Sequence, residues 1–296
     1  MNGAIHVGGG LDRPPHPTPG IRPLARGAVV LVVAVLLGGC GSGSGGAAGG
    51  QASDRQPASR SSPLGRISGV QQRIVGRGAE AAVILSSARR VKPRSTTILL
   101  HAWSPVPGGS NAPWIAHLVR RGSVVIYPIY QDFNAKPQVV LANAVSGIRR
   151  AFASPGTSKR PLIVAGATTG AALAADYAAS APAAHLPVPA AIFAVYPGRD
   201  PGVGVIHAVD PTRIVPTTRL TVVGGDYNPV VDGAAEVKRM LRGASNIPQR
   251  RRRYLVGADP SPGGPQEADA AARRSFWAPL DLLIKEARGG GRRGPR

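Results

Sequence analysis

Residues 163–180 read IVAGATTGAALAADYAAS, and the fold turns on how this stretch is read. Ile163 to Ala167 has the length and apolar character of a buried strand. The passage Gly166, Ala167, Thr168, Thr169, Gly170 then turns tightly, and an alanine-rich segment suited to a helix follows. Such a strand–turn–helix puts Thr168 at the centre of the turn, at the carboxyl end of the strand. In open parallel sheets that is the end where ligands sit.

Outward from this point the same alternation continues. Upstream lie an extended segment at Ala81 to Ser86, an apolar run at Thr97 to His101, a Pro/Gly-rich loop, and a helix signal. Asn111 is placed to cap that helix, Pro113 fits its first turn, Trp114, Ile115, Leu118 and Val119 share a face, and Gly122 stops it. Ser123 to Pro128 is a second apolar strand, and Leu141, Val145, Ile148 and Phe152 recur at helical spacing over Pro137 to Ala153. Strands are expected at Pro161 to Ala167, Ala190 to Tyr196, Arg219 to Val223 and Arg253 to Gly257. Helices are expected at Ala234 to Leu241 and around Phe276, Trp277, Leu280, Leu283 and Ile284. Apolar strands alternating with amphipathic helices imply an α/β fold of three layers, with a mostly parallel sheet covered on both faces. There is no internal repeat, no metal-ligand cluster and no phosphate-cradling glycine loop with a lysine, so neither metal nor cofactor is expected.

The chain has 296 residues, room for one substantial domain plus tails. Thirty-six Lys and Arg against 15 Asp and Glu give a net charge of +21, which attracts polyanions without choosing among anionic lipid, acidic wall polymer and nucleic acid. A solvated basic surface is favoured over dedicated nucleic-acid binding, because no aromatic-and-basic stacking pattern or zinc-finger spacing accompanies the charge. Arg22 and Arg26 precede the apolar run Ala28 to Leu37, too short to span a bilayer but suited to a signal-peptide core. The run ends in Leu37, Gly38, Gly39, Cys40, which resembles the lipobox of bacterial lipoproteins. Cys40 is the chain's one cysteine, so it has no disulfide partner within the chain. Residues 1–39 are therefore expected to form a signal peptide with lipobox, and residues 40–66 a lipidated cysteine with a Gly/Ser/Ala-rich linker. The folded domain is expected at 67–287 and a basic disordered tail at 288–296. The expected location is the outward face of a bacterial cell envelope, anchored to the membrane by lipid on Cys40.

Taken together, the ordered segments resemble the α/β-hydrolase superfamily, specifically its secreted bacterial esterases and lipases. LLHAWSP looks like the strand and oxyanion loop, IVAGATTGAAL like the nucleophile elbow usually written G-x-S-x-G, and VVGGDYNPVV like the acid-bearing strand end. RYLVGADPSPGGPQEADAAARRSFWAPLDLLI looks like the closing strand, histidine loop and last helix. The resemblance implies a triad of serine, acid and histidine in that chain order. Carried over position by position, the serine falls on Thr168, the acid on Asn228 and the histidine on Ala270. Asp226 or Asp232 can stand in for the acid only if the loop is redrawn. A β-branched residue suits the strained elbow poorly, and an amide in place of the acid alone costs roughly 10⁴ in rate in the serine-protease case.

All six histidines, His6, His16, His101, His117, His185 and His207, precede the acid position, so no histidine occupies the base position. Without a base near its pKa a hydroxyl cannot shed its proton at neutral pH. His101 ends the strand beside the elbow and is read as support for the oxyanion loop. His117 is read as solvated on the polar side of its helix. The resemblance further places oxyanion donors at the backbone N–H of Thr169 and of Ala102 or Trp103, with Trp103 as an apolar wall. The expectation is a hydrolase-like fold with degenerate catalytic positions, serving as a binding or structural module at the cell envelope, with an apolar, ester or acyl compound as the ligand its cleft would take. The alternative is an active ester or lipid hydrolase using Thr168 with an unconventional base.

Overall fold

The computed structural model describes residues 62–89, 91–103, 109–132, 134–157, 160–225, 232–256 and 264–289. Asn228, Asp226 and Cys40 lie outside these, as do the signal-peptide and tail segments. Among the described residues, eight strands form one sheet: β1 (Val70–Val75), β2 (Ala81–Ser87), β3 (Ser95–Leu100), β4 (Ser123–Ile129), β5 (Leu162–Ala167), β6 (Ala191–Val195), β7 (Arg219–Gly224) and β8 (Arg252–Val256), in the order 1-2-4-3-5-6-7-8. β2 pairs antiparallel with β1 and with β4, and every pairing from β4 to β8 is parallel. The sheet is thus mixed but mostly parallel, as expected.

Strand residues alternate between two cores, as a period of two requires. Ile98, Leu100, Val164, Ile192 and Val222 meet α2 (Val140–Phe152), α3 (Thr169–Ser180) and α4 (Gly233–Gly243) on one face. Leu99, Val125, Ile163, Phe193 and Val223 meet α1 (Ala112–Arg120) and the C-terminal helical run on the other. That run comprises α5 (Ala270–Ala272), a π-helical turn (Arg273–Trp277) and α6 (Ala278–Gly289). Phe276, Trp277, Leu280, Leu283 and Ile284 are all buried there, on the side that their spacing indicates.

β1 was not visible in the sequence. Its centre, Gln71, Gln72 and Arg73, is polar, and it is an edge strand held by its register with β2, Val70 opposite Ser87 through Val75 opposite Ala82. Asn111 also departs from expectation. A 3-10 turn, Gly109–Asn111, leads directly into α1, and Asn111 caps nothing; its amide donates to the Tyr127 hydroxyl at 3.1 Å.

α3 is buried from Thr169 to Ala179, and its alanines let the helix lie close against the sheet. Close approach explains the glycines of the quoted stretch. A Cβ on Gly170 would stand 2.3 Å from the carbonyl oxygens of both Leu100 and His101, and one on Gly166 would stand 2.3 Å from the Gly170 carbonyl oxygen. Backbone cannot yield at such distances, so both positions require glycine.

Candidate functional site

Thr168 joins β5 to α3 with φ 50° and ψ −118°. Positive φ at a β-branched residue is a genuine outlier, costing on the order of 1–3 kcal/mol, and it persists only where the surroundings enforce it. Here they do. The Thr168 N–H donates to the Val195 carbonyl at 2.9 Å, and its own carbonyl accepts from Ala171 at 3.0 Å and from Gly198 at 3.3 Å. The side chain is half-buried, and among the described residues its hydroxyl has no hydrogen-bond partner. Thr169 opens α3, where the first N–H groups of a helix have no partner within it. Its own hydroxyl is buried and has no partner among the described residues.

The end of β3 crosses directly beside this turn, as the Gly170 distances to Leu100 and His101 require. The His101 ring, however, is buried and stacked between aromatic rings, 4.0 Å from Tyr130 and 5.3 Å from Tyr127 between centroids. Its Nδ1–H donates to the Ala102 carbonyl at 2.7 Å, and the Tyr130 hydroxyl donates to the His101 carbonyl. Burial lowers the imidazole pKa to about 4, so His101 is neutral at pH 7. Ala102 is half-buried, and Trp103, half-buried too, packs against the core on the α2–α3 face.

Ala270, where the resemblance placed the histidine, is exposed and opens α5. Asp269 caps that turn, accepting from the Ala272 N–H at 2.6 Å. Asp232 is engaged elsewhere. Its carboxylate accepts the Arg199 N–H at 2.9 and 3.1 Å, and that of Asp200 at 3.4 Å. His117 contradicts the solvated reading: Nε2 lies 3.1 Å from both oxygens of Asp281, the ring stacks on Trp277 at 4.6 Å, and Arg121 donates to the same carboxylate at 2.8 Å. Burial would raise the Asp281 pKa, but the bonds from His117 and Arg121 outweigh it and hold the carboxyl below its ordinary range. This cluster ties α1 to α6.

One cluster beside the site was missed by sequence reasoning. Asp176, fully buried on α3, receives two 2.8 Å bonds from the Arg199 guanidinium. Arg199 Nε lies 3.0 Å from buried Glu236 on α4, which also takes two 2.6 Å bonds from Arg239. Burial alone would lower the Arg199 pKa, and the carboxylates of Asp176 and Glu236 more than reverse it, so the cation is fixed. Arg199 follows Gly198, whose N–H bonds Thr168, so the charge cluster anchors the loop that buttresses the elbow. The available signal was Asp176 itself, a lone acid in an alanine-rich helix that must be paired if buried.

Neither a family model nor a curated protein matches this sequence. Solved structures do match. A Rhizomucor miehei esterase structure aligns over 75% of this chain and 84% of its own at 12% identity, with a TM-score of 0.57. Esterase B from Lactobacillus rhamnosis covers 76% of this chain and 89% of its own at 12% identity and TM-score 0.54. A thermostable esterase from Pseudomonas putida covers 76% and 84% at 15% identity and TM-score 0.53. At such identities the likeness is one of fold: the chain has an α/β-hydrolase fold of the kind found in esterases. Fold by itself does not carry activity across.

Proposed function

We propose that the chain is an outward-facing, lipid-anchored envelope protein in which an esterase-like scaffold binds an apolar, ester or acyl ligand without cleaving it. The observation that carries this reading is the pairing of a Thr168 hydroxyl that has no partner among the described residues with an exposed alanine at the position the resemblance gives to the histidine. Hydrolysis by the family's route needs a base within hydrogen-bond reach of the hydroxyl. His101, the nearby candidate, is neutral but locked between tyrosines, its Nδ1–H already given to Ala102. The elbow N–H groups would still receive a carbonyl or carboxylate oxygen.

A second reading, an active ester or lipid hydrolase working through Thr168, draws support from the strain kept at that residue and from the Thr169 hydroxyl beside it, which has no partner among the described residues. Turnover of nitrophenyl butyrate and nitrophenyl palmitate by wild type, Thr168→Ala and Thr168→Ser separates the two. Binding without hydrolysis predicts equal, background-level rates for wild type and Thr168→Ala. Turnover that Thr168→Ala abolishes and Thr168→Ser raises would overturn it.

A further inference from the structure

At the amino ends of the parallel strands, beside the β1–β2 edge of the sheet, lies a cleft of about 1160 Å³. Its position is distinct from the elbow. The cleft includes Arg160, just before β5, whereas Thr168 follows the other end of that six-residue strand, about 20 Å away at the usual rise per residue. Four arginines line it, Arg73 from β1, Arg89 from the β2–β3 connection, Arg120 from the last turn of α1, and Arg160, and among the described residues its lining contains no Asp or Glu.

The hydrogen bonds of these arginines sharpen the point. Arg73 donates to the Pro155 carbonyl at 3.1 Å and Arg160 to the Gly156 carbonyl at 2.7 Å. Arg89 and Arg120 are exposed and have no side-chain partner among the described residues. None of the four is in an ion pair among the described residues, although Arg150, Arg199, Arg239 and Arg253 all are. The C-terminal end of α1 offers only about half a negative charge, which Arg120 alone more than offsets. Like charges around one concavity repel, and a bound anion relieves the repulsion. Guanidinium forks also match phosphate oxygens two at a time, which ammonium groups cannot do.

We propose that this cleft binds an anion carrying several phosphate groups, held by Arg73, Arg89, Arg120 and Arg160. The volume exceeds what one phosphate needs, and four guanidiniums call for several negative charges. This site is independent of the reading given to the elbow, and its test leaves Thr168 untouched.

The full chain is titrated calorimetrically with inorganic tripolyphosphate near physiological salt. In parallel it is sedimented with vesicles of cardiolipin, whose headgroup carries two phosphates, in phosphatidylcholine, and with phosphatidylcholine alone. Arg73→Gln, Arg89→Gln, Arg120→Gln and Arg160→Gln are combined in one variant. Arg213→Gln, Arg242→Gln, Arg250→Gln and Arg274→Gln, at exposed positions away from the cleft, make a control that loses the same charge. Because Arg73 and Arg160 hold loop carbonyls, the Arg89→Gln/Arg120→Gln pair serves as a variant that disturbs no observed bond. Expected is at least a tenfold loss of affinity in the cleft variants, within twofold retention in the control, and a shallower salt dependence for the cleft variants. Tripolyphosphate binding with this pattern identifies a soluble ligand, and the same pattern on anionic vesicles alone identifies a lipid headgroup. Equal weakening in cleft and control variants, or no binding to either probe, overturns the proposal.

Discussion

Replacing Arg199 by methionine removes the cation that joins Asp176 to Glu236. Both carboxylates are buried, and Asp176 loses two 2.8 Å bonds, keeping the Val209 N–H at 3.0 Å and Arg239 at 4.0 Å. The cluster formed by Asp176, Glu236, Arg199 and Arg239 passes from neutral to a net charge of −1. Breaking a buried pair in this way costs about 3–5 kcal/mol, and the remaining Arg239 places the expectation near the lower figure. For a domain of this size about 3 kcal/mol corresponds to a fall in Tm of roughly 6–12 °C. Urea unfolding at pH 7 reads the loss, and Asp176→Asn combined with Arg199→Met should recover part of it by removing the stranded charge. A pH signature accompanies it. Burial raises the Asp176 pKa even in the wild type, against the lowering by Arg199. Without Arg199 the folded state therefore binds a proton more readily than the unfolded one, and the deficit should shrink as pH falls from 7 to 5. A loss under about 1 kcal/mol at pH 7, or a double variant no more stable than the single one, would refute the reasoning.

Gly170→Ala should be at least as damaging, because the new Cβ meets two fixed carbonyl oxygens at 2.3 Å; Gly289→Ala, with nothing within 4 Å, is the control, and Tm measurement compares them. His101 predicts an acid-labile fold. Its folded pKa of about 4 lies below the ordinary value of about 6.5, so the unfolded state binds the extra proton, and stability is lost as pH falls through that window. The loss is of order 3 kcal/mol, and His101→Phe, which keeps the stacking on Tyr130, should flatten urea-derived stability between pH 6.5 and 4; an unchanged slope would remove the assignment.

The strands β3 to β7 were legible because each is a short run buried on both faces, and the last helix because its buried residues recur at helical spacing; β8, an edge strand reading RRYLV, is largely exposed. β1 was not legible, since a polar edge strand carries little hydrophobic pattern and is recognised only through its ladder with β2. His117 was misread for a related reason. Its own helix gives no sign that Asp281 and Trp277, 164 and 160 positions away, close over it.

The sequence alone determined the order of elements from β2 onward, the glycines on either side of Thr168, and the residue types at the positions where an esterase-like fold would keep its triad. These are local properties, readable from spacing and composition. Only the tertiary structure decided that Thr168 adopts its strained backbone, that Asp232 bonds the Arg199 and Asp200 amides, that Asp176 meets Arg199, and that four arginines line one cleft whose described residues include no carboxylate. Charge pairing and cleft lining depend on which distant segments the sheet brings together, and no periodicity along the chain encodes that.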